Sequence, residues 1–541
     1  MNVKKKIFKR SCSFLSGFMA MNLFLQPVSA KTPSDTLVMA WNIDGIMTFD
    51  PAQLNEATTS EIILNVCDSL VDSSIEDAGK VVPRLAKSWD VSGGDDSTVI
   101  TFHLRDNLKF SDGRSANAHD LVWSMKRVVH LKMAAAATFN EYGITTETVD
   151  DAIQALDDTT LVMKFNKPYP AELILNNIGT NHASILLDRE TLMKHEEDGD
   201  MGNRYLVSRA ACVGPYTLAN WRHGEAALLH SNPHYWGDAP KLKKILIRHV
   251  AEPGTQRLML QKNDVDVARN LGPEALSDLQ KTTDIRIEKV LVPAIFYWGF
   301  NMTNPIFSNE KVMLAMRYLI DYDGLGKTVL KGIGIPRASF LPVGTLGSLN
   351  EEEGQPFKVD VEKAKQLLTE AGYPNGFETS VLVSATPTSL SIVESIQDSV
   401  AKAGIRLKIE RLAGTQLFSK VYARAYDTAF VGWSNESSDS HTMATRLIYN
   451  PDNRFEARNT AYPSWQSAYL DENMNRKVEE ALFEKDSQSR AQRYVDLQRE
   501  FMQKGPYVFV FQKYNVVAVA PVIKKWVQNG APRIFYNLIE K

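Results

Sequence analysis

Residues 83–127, PRLAKSWDVSGGDDSTVITFHLRDNLKFSDGRSANAHDLVWSMKR, constrain the fold of this chain more than any other stretch, because they set several local structures in one unusual order. The segment reads as a helical turn, a strand, a second strand, a tight turn and a helix. Ser88-Trp89-Asp90-Val91 runs into the turn formers Gly93, Gly94, Asp95 and Asp96, and Val99 to Arg105 then alternates apolar and polar residues as a half-buried strand does. Lys109-Phe110-Ser111-Asp112-Gly113 supplies the tight turn, and residues from Asp120 to Arg127 recur at helical spacing. The block holds no nucleophile and no metal-ligand cluster, so it reads as scaffold.

The same block resembles the signature of the family 5 extracellular solute-binding proteins, the oligopeptide- and dipeptide-binding receptors of bacterial ABC importers. In that family it reads as LA-x-SW, a strand ending in LR, then FxDG and a helix. Further matches follow: Val213-Gly214-Pro215-Tyr216 with the family's GPY/F strand, Asn232-Pro233-His234-Tyr235-Trp236 with its N-x-x-YW turn, and Asp360 to Leu368 with its D-x-x-KAKxLLxEAG helix. The resemblance implies an α/β, two-lobed periplasmic-binding-protein fold of class II (cluster C-like), with an enlarged first lobe and two hinge segments. It implies an extracytoplasmic receptor that closes on a peptide and hands it to a membrane permease. ATP hydrolysis would belong to partner subunits, since the chain has no P-loop. No enzyme activity, cofactor, metal or nucleic acid is expected, and the receptor is expected to be a monomer.

The ends agree with that placement. Lys4, Lys5, Lys6, Lys9 and Arg10 precede the apolar run from Phe14 to Leu25, and Val28-Ser29-Ala30 follows, so residues 1–30 read as a secretory signal peptide cleaved after Ala30. The run is broken by Ser16, Gly17 and Asn22 and falls short of the roughly 20 residues a bilayer needs. The expected location is the periplasm. A formal net charge of −3 leaves no basic footprint of the kind nucleic acid requires. Beyond the signal stand Cys67 and Cys212, which could form a disulfide in an oxidising compartment or remain two buried thiols.

A chain this long exceeds one core. The expected division is a first lobe over 31–271, a second over 272–508, and a return to the first over 509–541. The first crossing is expected where the pattern changes around Asp264 to Pro273, the second at the strand Tyr507 to Phe511, just after Pro506 ends a charged helix pair. Within the second lobe, Asp360 is the expected N-cap and Gly372 the expected C-cap of one helix. In the first lobe, residues 62–71 read as a helix.

The resemblance also points to a ligand site. Peptide-binding members carry an acid three positions after a Gly-Trp tryptophan, which pairs with the peptide ammonium; here that position is Glu436, with Asp439 as the fallback. Backbone pairing with the ligand would involve the loop after the first strand, Ile43 to Ile46 with Asp44 and Gly45, and the stretch Gly432, Trp433 and Ser434. Trp298, with Trp41 and Tyr297, could wall the cleft, whereas Trp89, Trp221 and Trp236 read as core aromatics. Strict dipeptide binders clamp the ligand carboxylate with an arginine, but residues 381–389 contain none, so strict dipeptide specificity is not expected, and an oligopeptide or dipeptide-like solute remains compatible. The alternative is a haem, metal-chelate or other non-peptide receptor, for which His441 and Met443 are the available donors. Hydrolase signatures are missing: His195-Glu196-Glu197 lacks a second histidine and Gly332-Ile333-Gly334 a third glycine.

Overall fold

A computed structural model describes residues 32–541 except 55, 282–283, 435–438 and 532, so the expected signal peptide lies outside the described residues. Among the described residues no helix is long and apolar enough to cross a membrane. One mixed eleven-stranded sheet threads both lobes. From the second-lobe edge its order is Arg406–Leu412, Glu378–Ser384, Thr428–Ser434, Arg286–Phe300, Tyr507–Val519, Val267–Ala268, Thr36–Trp41, Lys244–His249, Ala226–Ser231 and Tyr216–Arg222, with Gly334–Pro336 paired onto Tyr507–Val519.

Two long strands carry the chain between lobes. Arg286 to Leu291 pairs with Val519 to Tyr514, the register breaks between Leu291 and Ile295, and pairing resumes from Ile295 against Gln512. Below the break, Val517 and Val519 pack with Leu37, Met39 and Ile245; above it, Val508, Val510 and Phe511 pack with Trp298, Val312 and Ile392. The passages between these clusters therefore fall near 292–294 and 512–514, the second on the strand expected to cross and the first later in the chain than the expected place near 271. The helix Pro273–Gln280, assigned from sequence to the second lobe, packs Leu276 and Leu279 against Val38, Ala40, Leu260 and Ala518 of the first. The change of pattern near 271 is a turn into that helix, whose first residue is Pro273; an unbroken strand through both lobes leaves no mark in composition.

The first lobe has a second sheet, ordered Ala86–Ser92, Thr98–Leu104, Thr160–Phe165 and Ile153–Ala155. The inward residues Ile100, Phe102, Leu161 and Met163 meet Leu121, Met125, Val128 and Val129 of the helix Ala118–Leu131. Asn117 and Asp120 close a reciprocal capping box at that helix's start. The expected helical turn before Trp89 is instead strand, Val81–Pro83 and then Ala86–Ser92. Likewise the helix expected over 62–71 runs Ala57–Val66, with Cys67 already extended and Val71–Ser73 a strand. Cys67 leaves the helix to meet Cys212: the two are disulfide-bonded, with α-carbons 5.4 Å apart. Arg127 is fully enclosed and bonds both carboxylate oxygens of Asp50 at 2.8 and 2.6 Å, tying the helix to the Asp50-Pro51 turn. In the second lobe Asp360 caps Val361–Glu370 by accepting from the Lys363 amide at 2.9 Å, and Gly372 takes φ +91° just past its end.

Candidate functional site

Strand register brings two chain segments to the hinge from opposite lobes. Ala40 aligns with Ala268, Ala268 with Ala518, and Ala518 with Ile287. The loop that follows Trp41 therefore rises beyond the level of Ile287 toward the break at Leu291. From the second lobe, Trp433 aligns with Ile295 and Ser434 with Ala294, so the carboxyl end of Thr428–Ser434 descends to the same break. Crevices outside the carboxyl ends of strands are where open α/β sheets bind ligands.

On the first-lobe side the loop is anchored from within. Ile43 and Ile46 are fully buried, and the Ile43 amide donates to His249 Nδ1 at 3.2 Å. Ile46 thus offers the site no side chain. Asp44 is 60% exposed, its carboxylate 3.3 Å from His249 Nε2, and Gly45 stands open, its nearest neighbour the Glu56 carboxylate at 3.8 Å from a built Cβ. Behind them Arg269 lies 4.1 Å over the Trp41 ring and forms a bidentate pair with Glu61 at 2.6 and 2.7 Å; the Tyr536 hydroxyl donates to the same carboxylate at 2.7 Å.

On the second-lobe side, Gly432 is required by packing, because a Cβ there would meet the Phe296 ring at 2.8 Å. Trp433 is half-buried with its indole N–H enclosed and unpartnered among the described residues, and Ser434 is exposed. Trp298 is not a cleft wall. It is 1% exposed within the second-lobe core, and its Nε1 donates to Thr428 Oγ1 at 2.7 Å; Tyr297 is buried too. Glu436 lies outside the described residues.

Asp439 is committed elsewhere. It is 6% exposed, caps the helix Ser440–Leu447 through the His441 amide at 2.7 Å, and takes Arg490 bidentately at 2.9 and 2.8 Å. Burial opposes the Arg490 charge, but Asp439 outweighs it and raises the guanidinium pKa. A carboxylate so engaged does not serve as the fallback acid for a ligand ammonium. His441 and Met443 are buried rather than presented to a ligand: the imidazole is 2.9 Å from Thr445 Oγ1 and 3.3 Å from the Tyr494 hydroxyl, and burial lowers its pKa to about 3. Among the described residues no group of three His, Cys, Asp or Glu could hold a metal ion.

Sequence reasoning did not identify the contacts that join the lobes beside this helix. Arg446 bonds Glu141 at 3.2 Å, Asn177 Nδ2 donates to Thr442 Oγ1 at 3.1 Å, and Phe483 packs on Tyr169 with ring centres 5.5 Å apart. Burial raises the Glu141 pKa, with Arg446 opposing. A cavity of about 380 Å³ also opens between the lobes, lined by Gly93, Tyr169, Glu484, Lys485 and Arg490, and shares no residue with the two strand ends.

The family model described as "Bacterial extracellular solute-binding proteins, family 5 Middle" matches residues 80–455. The chain is 26% identical over 535 residues to the probable D,D-dipeptide-binding periplasmic protein DdpA of Escherichia coli (strain K12), covering 98% of this chain and 99% of that protein. It is 25% identical to Heme-binding protein A of Haemophilus influenzae, over 92% of this chain and 91% of that one. Its fold matches the ABC transporter-associated periplasmic binding protein DppA from Helicobacter pylori, solved with the peptide STSA, with a TM-score of 0.77 at 24% identity, over 94% of this chain and 98% of that chain.

Proposed function

Since the chain belongs to the bacterial extracellular solute-binding proteins of family 5, non-enzymatic receptors that feed small solutes to ABC permeases, we propose that the solute it captures is a peptide longer than a dipeptide. The observation that carries this reading is the convergence of two strand ends on the hinge, one from each lobe. An extended peptide can pair its backbone with such ends without demanding particular side chains, and lobe closure then buries it. The names of DdpA and of the Helicobacter structure support a peptide-like solute. Residues 381–389 offer no arginine for a dipeptide carboxylate, which favours greater length. Glu436 pairs with the peptide ammonium. The receptor works as a monomer in the periplasm, after cleavage behind Ala30, and docks on its permease.

A haem solute is the second reading, favoured by the likeness to Heme-binding protein A. The enclosure of His441 and Met443 counts against it, since neither can reach an iron. Native mass spectrometry of the purified protein, followed by thermal-shift titration with peptides of two to five residues and with haemin, separates the readings. Peptides of three or more residues should raise the melting temperature, and Glu436→Gln should weaken them about tenfold, the loss of one charge-assisted contact. A shift with haemin and none with any peptide would overturn the peptide reading.

A further inference from the structure

The hinge strand Tyr507–Val519 is buried from Tyr507 through Gln512, and the next residue, Lys513, is exposed. On one edge Lys513 aligns with Gly334, which carries no side chain to cover it; on the other it faces the register break between Leu291 and Ile295. Its neighbour Gln512 turns inward and binds Val292 O at 3.1 Å and Val343 N at 2.7 Å, so Lys513 emerges on the opposite face. Strand alternation puts Lys513 on the face of Val517, and Val517 packs in the same cluster as Trp41 and Val267. That is the face on which Arg269 covers Trp41.

Two cations therefore stand together beneath the strand ends, but only one is neutralised. Arg269 has Glu61, whereas the Lys513 ammonium has neither a hydrogen-bond nor an ion-pair partner among the described residues. Solvent reaches Lys513, and Arg269 stands near enough to act on its charge. Burial, with Arg269 adding to it, holds its ammonium pKa below the ordinary lysine value. An exposed ammonium beside a second cation is open to an anion from outside the fold.

We propose that Lys513 is the contact for a carboxylate of the solute, held at the hinge between the loop after Trp41 and the end of Thr428–Ser434. This rests on the peptide reading and supplies the carboxylate recognition that residues 381–389, without arginine, do not. Lysine suits the task as a point charge on a flexible stem that reaches into a cleft.

The test is calorimetric titration of wild type, Lys513→Gln and Lys513→Arg with trialanine and with trialanine amide. Wild type should bind the acid roughly tenfold to a hundredfold more tightly than the amide, as expected for a charge-assisted contact. Lys513→Gln should bind both at the amide's level, and Lys513→Arg should recover part of the preference. Because the side chain is exposed, ligand-free Lys513→Gln should melt as wild type does. Equal losses for acid and amide in Lys513→Gln, or an undiminished preference for the acid, would overturn the assignment. If neither probe binds wild type, the peptide reading fails on its own, and native mass spectrometry decides for Lys513. A carboxylate-bearing solute kept by wild type and Lys513→Arg but lost from Lys513→Gln supports it. Retention of that solute by Lys513→Gln, a solute without a carboxylate, or no retained solute counts against it.

Discussion

Asp439→Asn separates a structural carboxylate from a ligand-binding one. The asparagine keeps an oxygen for the His441 amide, so the helix cap survives, a contribution of about 1 kcal/mol. What disappears is the charge that Arg490 needs. The guanidinium, 2% exposed, would be left with Ala481 O and the Tyr494 hydroxyl, both at 3.3 Å. Breaking one side of a buried ion pair costs about 3–5 kcal/mol, a large part of a total stability of roughly 5–15 kcal/mol. For a cooperative unit of roughly 150–250 residues each kcal/mol moves the midpoint by about 2–4 °C, so the second-lobe transition should fall by roughly 6–20 °C. Differential scanning calorimetry without ligand reads this directly. Asp439→Asn with Arg490→Met, which removes both charges, should recover at least about half the loss, because the penalty lies in the orphaned cation. A single variant that melts within about 2 °C of wild type but loses tenfold in peptide affinity would refute the reasoning and return Asp439 to the ligand.

Three further outcomes are expected. Cys67→Ser with Cys212→Ser, or reduction of the wild type, should destabilise the first lobe by up to about 5 kcal/mol, the chain-entropy value for a bond spanning 145 residues; identical melts with and without reductant would contradict it. Burial holds the His441 pKa at about 3 against an ordinary 6.5, so the unfolded chain takes a proton that the folded one refuses. Stability is complete above about pH 6.5 and should fall by about 5 kcal/mol toward pH 3, and His441→Gln should flatten that limb in acid-unfolding curves. Glu141→Gln removes the carboxylate that holds Arg446 across the lobes and should weaken solute binding about twofold to fivefold, the scale of a partly exposed pair; unchanged affinity and unchanged small-angle scattering would show that the pair does not bias closure.

What was legible in the sequence is local physics. The period of two in Thr98–Leu104, the Asp360 cap and the turn glycine at 372 depend on residues within a few positions of one another, and each stands as read. Pairings at long range were not legible. Asp439 resembled a free loop acid because Arg490 lies 51 residues away, and Trp298 resembled a cleft wall because its partner Thr428 is 130 residues distant. The first crossing was placed too early for a related reason, since Arg286–Phe300 keeps the look of an ordinary strand while changing lobes. One discriminating signal was nevertheless present in the chain. A charged residue inside an apolar element needs an explanation, and the structure supplies one by pairing or by carbonyls: Arg127 has Asp50, Arg490 has Asp439 and Arg269 has Glu61, whereas Arg317 and Arg337 donate to backbone carbonyls. These pairs complete themselves within the fold and describe its stability. Among the described residues the Lys513 ammonium has no such partner on the strand that hinges the lobes, and the carboxylate of the proposed solute would supply one.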